Sequence, residues 1–142
     1  MLAVLAVPAA HAGEAARNCK TYWAQGNPNS GWGFTVCVKL VHDPNAHTWW
    51  STGSVSSTTP GIKLYLDSLS IYSQTSGVTR TINTATRYGT GSDFVTAITF
   101  KYACSGRHNF QGAAVGHAIW PNGVRSQGGL AETSPIPYSG TC

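Results

Sequence analysis

Hydrophobic and polar residues alternate with a period of two over most of the chain. No stretch of a dozen residues carries the three-to-four spacing of an amphipathic helix. The pattern predicts an all-β protein. Phe34, Val36, Val38 and Leu40 alternate with Thr35, Cys37 and Lys39, which marks a strand with one apolar face. His47 to Ser57, rich in Trp, Thr, Ser and Val, reads as a second, more exposed strand. Ile62, Leu64 and Leu66 set one face of a third. Leu69 and Ile71 continue it out of phase, so one extra residue near Asp67 or Ser68 implies a bulge or a tight corner there.

After Ser76-Gly77, residues 78–87 read as an edge strand with Thr79, Arg80 and Thr81 available to water. Residues 94–104 carry the strongest strand pattern, with Phe94, Ile98, Phe100 and Tyr102 on one face. Ala113 to Trp120 is a run of small residues suited to close backbone packing, and Pro121-Asn122-Gly123 makes a turn after it. The stretch from Val124 to Cys142 is expected to be extended and irregular. Roughly seven short strands punctuated by turns predict a small, disulfide-stapled antiparallel β-sandwich, with a small β-barrel as the alternative.

The first ten residues, M-L-A-V-L-A-V-P-A-A, are apolar and uncharged, and Ala10 and Ala12 put small residues around a cleavage point after Ala12. Residues 1–12 are therefore expected to be part of a cleaved signal peptide whose positive leader lies upstream of Met1. The run is about half the ~20 residues that cross a bilayer, so no membrane span is expected. The 130 residues that follow (142 less 12), residues 13–142, suffice for a single domain.

Export fits the cysteines. Cys19, Cys37, Cys104 and Cys142 are separated by 18, 67 and 38 positions with no C-x-x-C pair, which favours two disulfides over a thiolate metal site. The preferred pairing is Cys19 with Cys37 and Cys104 with Cys142, each closing a short loop and pinning a terminus to a strand. Cys37, a following Trp and Tyr102 two residues before Cys104 resemble the cysteine, tryptophan and tyrosine pattern of immunoglobulin domains. Parity departs from it: Cys37 shares its side of the strand with Thr35 and Lys39, opposite the apolar residues. Cys19, Gly31-Trp32-Gly33-Phe34-Thr35 and Gly140-Thr141-Cys142 resemble bacterial cellulose-binding sandwich modules at the termini alone. That resemblance implies a bridge between the two ends.

Charged residues make up only 10% of the chain, so its surface must be built from hydroxyls, amides and aromatic edges. The net charge of +4 is dispersed, and no nucleic-acid partner is expected from it. Candidate acid–base groups are few, and neither a G-x-S-x-G elbow nor an H-E-x-x-H motif occurs. His117, in register with Val115 and Ile119 on the small-residue strand, is either a half-buried structural histidine or, with Asp93 and Glu132, the site of a small secreted hydrolase or nuclease. Asp67 facing Asp93 is a second arrangement of acids. His42, Asp43 and His47 have the types of metal ligands, but Asp43-Pro44-Asn45 reads better as a β-turn. No metal or cofactor is expected.

The aromatic residues, 11% of the chain with five tryptophans, are the most informative feature. Adjacent Trp49 and Trp50 must point to opposite faces of a strand, so one packs in the core while the other is shielded by a loop or left exposed. Trp32, Trp49, Trp50 and Tyr22 are the candidates for a binding platform. The expected function is that of a secreted, non-catalytic module contacting an extracellular protein partner. Polysaccharide binding through exposed Trp and Tyr is the first alternative and the His117 enzyme the second.

Overall fold

The computed structural model describes residues 12–75, 78–91, 94–99, 101–103 and 108–136. These form nine strands in two antiparallel sheets that do not close into a barrel, and the sandwich expectation holds. β1 (Gly13–Trp23), β2 (Gly33–Asp43) and β3 (Thr48–Ser56) make a meander. β6 (Phe94–Ile98) and the short β7 (Tyr102–Ala103) both pair with β3 to complete the first sheet. β4 (Lys63–Thr75), β5 (Val78–Gly91), β8 (His108–Ile119) and β9 (Gly129–Glu132) form the second sheet in the order β5-β4-β8-β9.

The core lies between the sheets and follows the period-two pattern. Phe34, Val36, Val38 and Leu40 of β2 are buried to 1% exposure or less and face Leu64, Leu66, Leu69 and Ile71 of β4. β4 changes phase where the sequence does, since its register against β8 slips between Leu66 and Ser68. The extra residue is Asp67, and it returns Leu69 and Ile71 to the inner face. Small residues on β8 let the other sheet approach closely: a Cβ on Gly116 would fall 2.5 Å from Val55 Cγ2. β5 is an edge strand, as expected.

Two strand expectations need correction. β3 is not an exposed strand but lies between β2 and β6, and Trp49, Trp50, Ser51 and Val55 are all buried on it. The predicted strand at 94–104 is broken at Thr99 into β6 and β7. There Val95 faces the core while Ile98 is 56% exposed, so Ile98 stands on the outer side. Its edge position explains this, because an edge strand has less sheet to pack under.

Cys19 and Cys37 are bridged, as preferred. They are direct register partners on β1 and β2, with Cα atoms 4.1 Å apart. Cys37 stands on the outer face with Thr35 and Lys39, which removes the immunoglobulin pattern, and the bridge also replaces the end-to-end link that the cellulose-binding likeness implied. The Cys104–Cys142 pairing and residues 1–11 lie outside the described residues. No helix among the described residues is long and apolar enough to cross a membrane.

Candidate functional site

Aromatic side chains gather at both ends of the sandwich. At the end reached by the C-terminal half of β2, Trp49 stacks between Phe110 (centroids 4.7 Å apart, planes at 5°) and His42 (4.3 Å, 15°). Trp49 is 3% exposed and packs with Leu40, Ile71 and Phe110. Its neighbour Trp50 points to the opposite face yet is only 8% exposed. Lys101 covers it, with Nζ 4.6 Å from the ring centroid. Trp49 is thus a core residue and Trp50 a shielded one, and neither joins a platform.

This end also holds polar atoms without partners. His42 Nε2, Thr48 Oγ1, Trp49 Nε1, Ser51 Oγ and Ser73 Oγ are buried and make no hydrogen bond. Burial lowers the pKa of His42, against an opposing pull from Asp43 and with a smaller lowering contribution from His47. Asp43 Oδ1 accepts from the backbone N–H groups of Asn45 (2.9 Å) and Ala46 (3.1 Å), so its carboxylate organises the β2–β3 turn.

The opposite end opens into a cleft of about 880 Å³, within the range of ligand pockets in general. Its aromatic lining is Tyr22, Trp23, Trp32, Phe34 and Trp120. Phe34 and Trp120 are buried and make the floor, with their rings 5.7 Å apart. Tyr22 stacks on Phe34 at 5.5 Å. Its hydroxyl donates to the Leu130 carbonyl (2.6 Å) and accepts from the Leu130 N–H (2.8 Å), tying β1 to β9. Both rings of the Tyr22-Trp23 pair lie against glycines. A Cβ on Gly129 or on Gly33 would come within 2.6 Å of the Tyr22 or the Trp23 ring respectively.

Two loops complete the walls. Residues 24–32 fold as two 3-10 turns, closed at the base by the Ala24 N–H donating to the Trp32 carbonyl (2.9 Å). Asn27 caps the second turn through the N–H of Asn29, and Gln25 adopts a left-handed φ of 54° at the rim. Across the cleft, the turn at 121–123 is closed by the Gly123 N–H on the Trp120 carbonyl (2.8 Å). Ser126 Oγ accepts from the Ala118 N–H (2.8 Å), which fixes the segment carrying Asn122, Arg125 and Gln127. Gln25 and Gln127 are exposed, and their side-chain amides make no hydrogen bond among the described residues; Arg125 is the one charged residue among the described lining. A second groove of about 210 Å³, lined by Thr21, Thr35, Ser56, Ser57 and other hydroxyl residues, shares Trp23 with the cleft.

The candidate platform is therefore divided. The structure brings Tyr22 and Trp32 together and adds Trp23 and Trp120, while Trp49 and Trp50 lie elsewhere. Trp23 and Arg125 carry no signal of their own in the sequence, because the cleft is assembled from segments about a hundred positions apart. The Gly-rich 26–33 segment, preceded by Trp23 and containing Trp32, was the available hint.

His117 stands on the outer face of the second sheet, 8% exposed, with its ring parallel to Tyr65 at 4.5 Å. Its Nδ1 bonds both carboxylate oxygens of Asp67, at 2.9 and 2.8 Å. The carboxylate partner is thus Asp67 at the β4 bulge and not Glu132, which is exposed on β9 opposite Ala113. Asp93 lies outside the described residues. The His117–Asp67 pair links the bulge to β8 beside the Tyr65 ring, and the imidazole is largely screened from solvent. No protein-family model, curated protein or solved structure matches this chain.

Proposed function

We propose that this protein is an extracellular, non-catalytic binding module that holds a saccharide in the aromatic cleft at the β1–β9 end of the sandwich. The observation that carries the reading is the lining itself. Flat indole and phenol rings offer apolar faces to the C–H faces of a sugar, and unspent amides at Gln25 and Gln127 offer hydrogen bonds to its hydroxyls. The concavity matters too, since a protein-docking surface is usually flatter and broader. Trp23, Ile98, Val124 and Leu130 are the exposed large hydrophobic residues among those described. Trp23 and Val124 line the cleft, whereas Ile98 and Leu130 stand on β6 and β9, so these four do not assemble into the apolar patch that would favour a protein partner.

Secretion is part of the proposal. The Cys19–Cys37 bridge suits an oxidising compartment, and cleavage after Ala12 would leave β1, which begins at Gly13, intact. The test is retention of the purified, oxidised domain on a panel of immobilised polysaccharides covering cellulose, chitin, xylan, mannan and pectin. Retention by at least one, lost in a folded Trp23→Ala/Trp32→Ala variant, is expected. Retention by none, or by wild type and variant alike, overturns the reading.

A further inference from the structure

Among the described residues the cleft has one cation and nothing to neutralise it. Among its described lining residues Arg125 alone is charged, and no carboxylate lines the cleft. The ion pairs among the described residues, Arg17 with Glu14 and His117 with Asp67, do not involve it. Its position is set by the wall rather than by chance of a loose loop. Arg125 forms a backbone bridge with Ile119 and lies between the Val124 carbonyl bonded to Trp120 (2.9 Å) and the Ser126 N–H bonded to Ala118 (2.8 Å).

We infer that the saccharide bound in this cleft is an acidic one, carrying a carboxylate or sulfate group that pairs with Arg125 while its sugar rings lie against Trp23 and Trp32. The inference rests on the saccharide reading of the cleft and narrows it to a ligand class. A planar guanidinium presents paired N–H donors that match the two oxygens of a carboxylate or the oxygens of a sulfate. In a surface otherwise poor in charge, this single unopposed cation beside aromatic walls distinguishes anionic from neutral sugars more sharply than the aromatic contacts can. The positive net charge of +4 supports the same sign of ligand at longer range.

The experiment uses calorimetric titration of the oxidised domain with a galacturonic acid hexamer and with its methyl ester, which keeps the sugar skeleton and removes the charge. A sulfated galactose hexamer and its neutral parent form a second pair of arms. The acid is expected to bind about tenfold more tightly than the ester, as a charge-assisted hydrogen-bonded pair requires, and Arg125→Gln should bring the two to equal affinity. The same preference in the sulfated pair alone would also support the inference and would assign the group as sulfate. Charged and neutral forms that bind equally, with Arg125→Gln unchanged, overturn the inference and leave the saccharide reading in place. Failure of every oligosaccharide to bind overturns the inference, and failure of retention on the whole polysaccharide panel as well overturns the saccharide reading with it.

Discussion

Phe34 and His42 stand roughly 25 Å apart along the inner face of β2, and each is the seat of an aromatic cluster, yet the two clusters are built to opposite ends. Around His42 the rings close on one another. Trp49 is sandwiched between two partners, and the polar atoms caught among the rings go unbonded. Around Phe34 the floor closes but the walls do not. Tyr22 spends its hydroxyl on Leu130, and Trp23 remains 37% exposed over Gly33. The same residue types thus serve cohesion at one end and line an open cleft, the proposed binding site, at the other. What separates them is whether the opposite sheet supplies a second aromatic layer, as Phe110 of β8 does for Trp49, or leaves one face of the ring to solvent.

The largest expected effect breaks the closed cluster. Trp49→Ala should destabilise the domain by about 3–5 kcal/mol in denaturant unfolding, since it removes a fully packed ring and both of its stacks. Trp23→Ala should cost less than about 1 kcal/mol, because its ring is substantially exposed. Equal losses at the two sites would erase the distinction between the ends. The paired replacement Cys19→Ser/Cys37→Ser should cost about 3 kcal/mol, and hydrogen exchange should quicken in β1 beside the cleft more than in β3.

Asp67→Ala leaves the buried His117 Nδ1 without its partner and should cost about 1–3 kcal/mol. The smallest effect concerns His42. Because burial lowers its folded-state pKa below the ordinary imidazole value near 6.5, the unfolded chain takes up the proton first as pH falls. Its contribution to stability is therefore present above about pH 6.5 and is lost between there and the lower folded value. A His42→Phe variant, which keeps a ring beside Trp49, should show a shallower loss of stability over that acidic window in urea titrations than the wild type.

Much of this fold was legible in the sequence because strict alternation leaves little choice. Cys37 was placed on the outer face by the parity of Val36 and Val38, and the slip between Leu66 and Leu69 announced the bulge. β3 misled because its inner face uses Ser51 and Gly53 where a large apolar residue would have signalled burial, and a Thr- and Ser-rich strand reads as solvated. The partner of His117 was hidden for a different reason. Asp67 reaches it from the neighbouring strand, two positions beyond Tyr65, the register partner of His117, and sequence spacing does not say which strands pair. The cleft was half visible. Tyr22 and Trp32 were candidates by residue type, but Trp120 and Arg125 join them through the packing of β1 against the second sheet, where Tyr22 bonds Leu130 of β9.

Five tryptophans give five indole N–H resonances, and they divide between the two regions being compared. The most direct measurement is therefore an NMR titration of the oxidised domain with the galacturonic acid hexamer, together with any polysaccharide fragment that retains it. The indole signals of Trp23, Trp32 and Trp120 are expected to move with a common saturation curve while those of Trp49 and Trp50 stay fixed. Movement centred on Trp49 or Trp50, or five unmoved signals with every fragment, would contradict that expectation.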